Sequence, residues 1–138
     1  MEELKELYRI VEERMGISEE QIKSNIKPTE IVDARRVVAI VLSKNTGMNL
    51  EKIGHAIGRD HSTVCHYKKT TDGLIETDKR FRINFNHVNA RFKIATDGRT
   101  LEEKLRDLLN TKESIEQEIV VINEEIRKYS NEKTELCV

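Results

Sequence analysis

The chain has 138 residues, a net charge of −1, 36% charged residues and only 4% aromatic residues. This length allows one compact domain with an appendage, and the low aromatic content argues against a β-sandwich. Two cysteines are too few for a disulfide scaffold, and no apolar run approaches the length of a membrane span.

One proline and six glycines leave long segments in which helices can form. Apolar residues three and four apart predict a first helix over 2–15, and its sequence lacks the basic and apolar regions of a signal peptide. We therefore expect a cytoplasmic protein. A capping-box pattern predicts a short helix over 19–24. After Pro28, Thr29 can cap a helix over about 30–46, whose apolar residues cover most of its circumference, as is typical of a core helix.

The next segment is divided by residues that begin and end helices. Asn49 predicts the start of a helix over about 50–57, which Gly58 ends. Asp60 predicts the start of a second helix over about 61–71. Residues 52–98 carry nine basic and five acidic side chains, so this part of the chain is basic between acidic flanks.

Asp72-Gly73 is a turn signal, and a further helix is predicted from Asp78 onwards. This helix mixes basic residues with apolar residues at helical spacing. Those apolar residues are Phe81, Phe85, Val88, Phe92 and Ala95. The pattern allows either a stacking surface for single strands or a helix packed on the core, and it favours packing.

Two short helices joined by a glycine turn indicate a helix-turn-helix, in which the second helix enters the DNA major groove. At its start, Asp60 can accept from a cytosine amino group, His61 can contact a base edge or a thymine methyl, and Ser62 can donate or accept. Thr63 and the unpaired N–H groups of the helix start suit a phosphate. The alternative is an ordinary helical hairpin in which Asp60 is only an N-cap.

Two runs resemble a known family, namely residues 30–40 (EIVDARRVVAI) and residues 53–64 (IGHAIGRDHSTV). They resemble the C-terminal DNA-binding domain of the bacterial replication initiator DnaA, over about residues 1–95. The resemblance implies an all-α helix-turn-helix fold with side chains that contact bases or phosphates. It implies base contacts by Asp60, His61 and Ser62, and phosphate contacts by Arg59 and Thr63.

The sequence departs from the family pattern at three points. Past Val64, it has Tyr67 where the family commonly has a small residue and Thr70 where the family has a basic one. The family usually has Gly-Gly where this chain has Gly58 alone, so a tighter turn is expected. The family's loop before the Ala-Arg helix is rich in arginine and sends one side chain into the minor groove, whereas residues 23–33 offer only two lysines. The basic side chains that remain are expected to contact the DNA backbone. They are Lys27, Arg36, Lys68 and Lys69.

Several other functions are not supported by the sequence. It contains no GxxxxGK[ST] phosphate loop and no cluster of carboxylates of metal-site type, so we expect neither a nucleotide cofactor nor catalysis. His61 and Cys65 lie four residues apart, but His66 points away from Cys65 and no second pair completes a tetrahedron. We therefore predict no metal site.

Thr100 and Glu103 form a capping-box pattern that opens a last helix over about 99–131. Its apolar residues recur at alternating spacings of four and three, which is the pattern of a coiled coil. They are Leu101, Leu105, Leu108, Ile115, Ile119, Ile122 and Ile126. Lys112 occupies one a position, where a charge can fix register or partner number. The stripe is longer than helix 2–15 could cover, so we expect a homodimer, with pairing inside the chain as the alternative.

Taken together, the sequence predicts an all-α protein with a DnaA-type helix-turn-helix domain over 1–96, a coiled-coil helix over 99–131 and a flexible tail over 132–138. The predicted function is sequence-specific binding of double-stranded DNA, without catalysis, in transcription regulation or replication control. The alternative is a protein-interaction module whose coiled coil binds a partner and whose helix-turn-helix no longer binds specific DNA.

Overall fold

In the computed structural model, residues 2–136 are described, with side chains through residue 133, and every regular element in that range is an α-helix. The helices are α1 (Glu2–Met15), α2 (Glu19–Lys23), α3 (Thr29–Asn45), α4 (Leu50–Ile57), α5 (His61–Thr77), α6 (Lys79–Thr96) and α7 (Leu101–Leu136). The predicted all-α class is confirmed. Two compact units are distinguished, residues 1–97 with α1 to α6 and residues 98–138 with α7.

Helix α3 lies at the centre of the first unit, as its apolar circumference predicts, and it packs against α1, α2, α4, α5 and α6. Its buried apolar residues are Ile31, Ala34, Val37, Val38, Ala39, Ile40, Val41 and Leu42. Burying an aliphatic side chain of this kind contributes roughly 1.5–3 kcal/mol. The elements that surround α3 are therefore held mainly by apolar contact with one helix.

Helices α1 and α6 pack against each other and complete the core. The predicted apolar residues of α6 are buried except for Ala95, which is exposed beyond the last packed turn. Because all three phenylalanines of the chain are buried, they offer no stacking surface for single strands. On the surface, Arg91 forms an ion pair with Glu13 at 2.7 Å, which links α6 to α1.

The predicted helix starts have the expected side-chain caps. The Ser18 hydroxyl accepts from the Gln21 N–H while the Gln21 side chain accepts from the Ser18 N–H, which completes the predicted capping box. Asn49 caps α4, and Asp78 caps α6 by accepting from Phe81 N–H at 3.1 Å. The prediction for α3 differs slightly, because its cap position is Pro28 and Thr29 is its first residue.

The predicted turn at Asp72-Gly73 is wrong, since α5 continues through both residues to Thr77. The continuation keeps Leu74 and Ile75 against the core, where both are half-buried. Burial of these two side chains outweighs the small helix cost of one glycine, about 1 kcal/mol. The break between α5 and α6 lies instead at Asp78.

Helix α7 begins with the predicted capping box, in which Thr100 N–H donates to Glu103 at 3.0 Å and Glu103 N–H donates to the Thr100 hydroxyl at 3.2 Å. It extends to Leu136, beyond the predicted end near 131, because no glycine or proline interrupts residues 101–136. Of the tail predicted over 132–138, residues 137 and 138 lie outside the described part of the chain.

One stripe of α7, here called the seam, is made of every residue at the a and d positions from Leu101 to Ile126. Its members are Leu101, Leu105, Leu108, Lys112, Ile115, Ile119, Ile122 and Ile126. Each apolar member is at least half exposed. Leu109, Val120 and Val121 are comparably exposed beside it. Among the described helices, none combines the length and apolarity needed to cross a membrane.

Candidate nucleic-acid interface

Helices α4 and α5 are joined by a turn of three residues, 58–60. The inner face of α4 buries Ile53, Ala56 and Ile57 against the core. Gly58 has φ 66°, in the left-handed region that favours glycine, and ends the helix. Arg59 N–H donates to Gly54 O at 2.9 Å, which closes the turn before α5 begins.

Two glycines allow backbone segments to approach each other closely at this turn. A Cβ atom on Gly54 would lie 2.5 Å from Arg59 O, and one on Gly58 would lie 2.6 Å from Lys23 O. Both distances are shorter than any normal contact of a side-chain carbon, so both positions require glycine. These contacts fix the start of α5 against α4 and against the end of α2.

Asp60 caps the start of α5 with a single carboxylate oxygen. Asp60 Oδ1 accepts from the Ser62 hydroxyl at 2.6 Å and from Thr63 N–H at 3.2 Å. These hydrogen bonds, the one from Ser62 first, hold the pKa of Asp60 below its usual value, so the carboxylate is charged at neutral pH. Because the Ser62 hydroxyl already donates its hydrogen bond to Asp60, the Ser62 oxygen is available to accept a hydrogen bond from another group.

Helix α5 buries one face and exposes the opposite one. Val64, Tyr67 and Thr71 are buried. Ser62, His66 and Lys69 are exposed and share the opposite face through their i, i+4 and i+7 spacing. His61 and Lys68, seven residues apart, are exposed along one edge of this face. His66 was considered from the sequence only as a metal ligand, although the same spacing already placed it beside Ser62 and Lys69.

Two arginines hold the loop between α2 and α3, residues 24–28, next to this turn. Ser24 O accepts from Arg59 Nη2 and from Arg35 Nη2, each at 2.9 Å. Arg35 is only 2% exposed, and its Nε also donates to Ile22 O at 2.8 Å. Sequence reasoning did not assign Arg35 a role. Its partners Ile22 and Ser24 lie 13 and 11 residues away in the sequence, so residue spacing along α3 does not reveal which groups it bonds.

Arg59 and Arg36, both predicted to contact phosphates, are bonded within the fold. Arg59 Nη1 donates to Gly58 O at 2.9 Å in addition to its bond with Ser24. Arg36 Nη1 donates to the Thr70 hydroxyl at 2.6 Å and to the Thr71 hydroxyl at 3.2 Å. Its guanidinium carbon lies 4.6 Å from the centre of the Tyr67 ring, a cation–π contact. Phosphate contacts by these two arginines stay predictions.

The lysines predicted to contact the DNA backbone are accessible. Lys27 is exposed near the end of the loop of residues 24–28, here called the anchored loop, and Lys68 and Lys69 are exposed on α5. A shallow groove at the start of α5 is lined by side chains from this loop, α4 and α5, including Asn25, His55, Asp60 and His61. In the described part of the chain, no three His, Cys, Asp or Glu side chains are grouped as a metal site would require.

The arrangement of a short helix, a glycine turn and a capped second helix with an exposed outer face defines a helix-turn-helix protein. Residues 4–70 match the family described as the bacterial dnaA protein helix-turn-helix. The resemblance predicted from the sequence is therefore confirmed for this segment, which includes α1 to α4 and the first part of α5.

Curated relatives agree with this match. The chain is 30% identical over 89 residues to the chromosomal replication initiator protein DnaA of Flavobacterium psychrophilum, which covers 64% of this chain and 19% of that protein. It is 34% identical over 88 residues to the protein of the same name from Herpetosiphon aurantiacus, covering 62% of this chain and 18% of that protein. The chain thus aligns with about a fifth of the length of the curated relatives it matches.

The close approach at Gly54 predicts opposite effects for two helical glycines. Gly54→Ala should lower the free energy of unfolding by roughly 1–3 kcal/mol, because the added methyl group meets the Arg59 main chain. Gly73→Ala, the matched control, should raise it by about 0.5–1 kcal/mol, because Gly73 is helical and has open space around it.

Urea unfolding followed by circular dichroism measures both changes. Equal effects of the two substitutions would contradict the assignment of Gly54 as a point of backbone contact.

Proposed function

We propose that this chain binds double-stranded DNA at specific sequences, with the start of α5 in the major groove. The observation that carries the proposal is the exposed outer face of α5, which begins at a capped start and carries polar and basic side chains. The similarity of residues 4–70 to the DnaA helix-turn-helix supports the proposal that this face binds DNA.

Three residues at the start of α5 are proposed to contact bases. Asp60 is a charged hydrogen-bond acceptor. Ser62 also acts as an acceptor, because its hydroxyl group already donates a hydrogen bond to Asp60. Two neighbouring acceptors suit the amino groups of cytosine or adenine in the major groove. His61 is exposed beside them and is proposed to contact a base edge or a thymine methyl group.

The phosphate contacts are proposed to come from both sides of this start. Thr63 lies in the first turn of α5, where backbone N–H groups favour an anion. Lys68, Lys69 and the exposed His66 continue along the helix, and Lys27 approaches from the anchored loop. Arg36 and Arg59 form hydrogen bonds within the fold. These bonds favour a structural role, in which Arg36 holds α5 and Arg59 holds the loop of residues 24–28.

The role in the cell is proposed to be replication or transcription control in the bacterial cytoplasm, without catalysis. The relatives are named chromosomal replication initiators, but this chain covers about a fifth of their length. The sequence contains neither a GxxxxGK[ST] phosphate loop nor a cluster of carboxylates of metal-site type, which supports a binding protein over an ATPase or nuclease.

Homodimerisation through the seam of α7 is proposed as part of this function. The seam spans residues 101–126, and its apolar members are exposed along a helix of 36 residues. An isolated helix with an exposed apolar stripe gains stability by pairing with another helix. Two DNA-binding units in one dimer would bind paired half-sites more tightly than one unit binds a single site, through effective concentration.

A second candidate function is that of a protein-interaction module. It is favoured by two observations, the absence of arginine from the loop of residues 24–28 and the internal hydrogen bonds of Arg36 and Arg59. In this case α7 would bind another protein, and the outer face of α5 would not select DNA sequences. The sequence preference of DNA binding is the property that separates the two candidates most directly.

Substitutions at His61 and Lys68 test the proposed roles on a preferred duplex and on random duplex DNA. His61→Ala should weaken binding to the preferred site by on the order of 1–3 kcal/mol and leave random DNA nearly unaffected, because base contacts provide specificity. Lys68→Ala should weaken binding to both and reduce the salt dependence by about one counterion, because a phosphate contact is lost. Fluorescence anisotropy titrations at several salt concentrations measure both effects.

The matched control for the first substitution is His87→Ala, since His87 is exposed on α6, outside the proposed interface. It should bind like the unaltered chain. A wild-type chain that binds random and selected duplexes equally would favour the second candidate function.

The proposed dimer is tested by placing one charge at two neighbouring positions of α7. Ile119→Lys introduces a charge into the seam and should convert the dimer to a monomer. Val121→Lys should leave the dimer intact, because Val121 is equally exposed but lies outside the seam. Light scattering of the full chain at tens of micromolar decides this, and a monomeric wild-type chain would refute the proposed dimer.

A further inference from the structure

The seam of α7 contains one charged residue near its middle, and this residue restricts how two copies can pair. Lys112 is exposed, and its Nζ lies 3.9 Å from Glu116 Oε1 of the same helix. In a parallel pair in register, residues at a positions face their own counterparts, so two Lys112 side chains would meet. In an antiparallel pair, a positions face d positions, so each Lys112 meets an apolar residue and extends its charge to the rim.

The charges around the seam favour the same orientation. Residues 114–126 carry four glutamates and no basic side chain, whereas residues 101–113 carry three basic side chains among four acidic ones. A parallel pair places the two strongly acidic segments side by side. An antiparallel pair places each acidic segment beside the nearly neutral one, which lowers the repulsion between like charges.

The acidic residues beside the seam also select a register. One antiparallel register places Leu101 opposite Ile126, Leu108 opposite Ile119 and Lys112 opposite Ile115, so that the full seam is paired. A shift by one heptad that places Leu108 opposite Ile126 would place Glu116 beside Glu116 and Glu118 beside Glu118 of the second copy. Like charges at such flanking positions are unfavourable and are a common device against wrong pairings.

We propose that α7 pairs with α7 of a second copy of this chain in an antiparallel orientation, with Leu101 opposite Ile126. The inference rests on the proposed dimerisation and adds its orientation and register. From Leu101 to Ile126 each helix spans 25 residue steps, which is about 38 Å at 1.5 Å per residue. The two polypeptides therefore enter the coiled coil from opposite ends.

Disulfide cross-linking of full-length single-cysteine variants tests the orientation. Leu101→Cys and Ile126→Cys are each prepared with Cys65→Ser and Cys137→Ser, mixed, and oxidised under mild conditions. We expect a cross-link between position 101 of one copy and position 126 of the other, at several times the yield of either variant oxidised alone. Val121→Cys, exposed outside the seam, is the control for random collisions.

Predominant self-linking of Leu101→Cys would show a parallel pair and overturn the proposal. Cross-linking no greater than that of the control, in a chain that light scattering shows to be dimeric, would overturn the proposed register. A monomer by light scattering would refute the dimer itself, so the failure of pairing is distinguishable from the failure of its orientation.

Discussion

The outer face of α5 depends on two places where main chain meets main chain without an intervening side chain. One lies between Gly54 and Arg59 O, and the other between Gly58 and Lys23 O. Backbone contacts of this kind fix the angle and the position of the start of α5 more closely than side-chain packing does, since side chains can change rotamer. The Asp60 cap then determines where the helical hydrogen bonds begin, and so which residues of α5 are exposed.

Arginine has a structural role in this domain that its charge alone does not reveal. Arg35 and Arg59 converge on the Ser24 carbonyl oxygen, and Arg36 is held against Tyr67 and two threonines. Hydrogen bonds from a guanidinium group are stronger than those between neutral groups, so three arginines can hold the loop of residues 24–28 and α5 firmly. The loop therefore keeps a defined position although it lacks the arginines that are typical of the family's loop.

The sequence predicted the helices and their starts well because these depend on local chemistry. Ser18, Asn49 and Asp60 each cap the helix that follows, and each cap is a contact with a residue three positions along the chain. The turn expected at Asp72-Gly73 does not occur, because the burial of Leu74 and Ile75 is a tertiary effect that a dipeptide signal does not contain. The bond from Arg36 to Thr70 and the bond from Arg59 to Ser24 join residues that lie 34 and 35 positions apart, so the sequence indicated only phosphate contacts for these two arginines.

The base contacts assigned to Asp60, His61 and Ser62 were predicted from residue chemistry together with the resemblance. The structure adds the direction of the Ser62 hydroxyl bond, which makes Ser62 and Asp60 two adjacent acceptors. It also adds the exposure of His66 on the same face as Ser62 and Lys69. The sequence already led to the expectation that Asp60 accepts from a cytosine amino group, whereas the second acceptor proposed at Ser62 could not have been derived from the sequence pattern.

Selection of bound duplexes from a random library decides whether this chain recognises specific DNA sequences. The full chain is mixed with random duplex DNA at near-physiological salt, and the bound fraction is sequenced after several rounds. We expect an enriched motif in which adenine or cytosine amino groups occupy the positions contacted by the start of α5. A bound fraction whose sequences remain random after repeated rounds would contradict the claim that this chain reads DNA sequence.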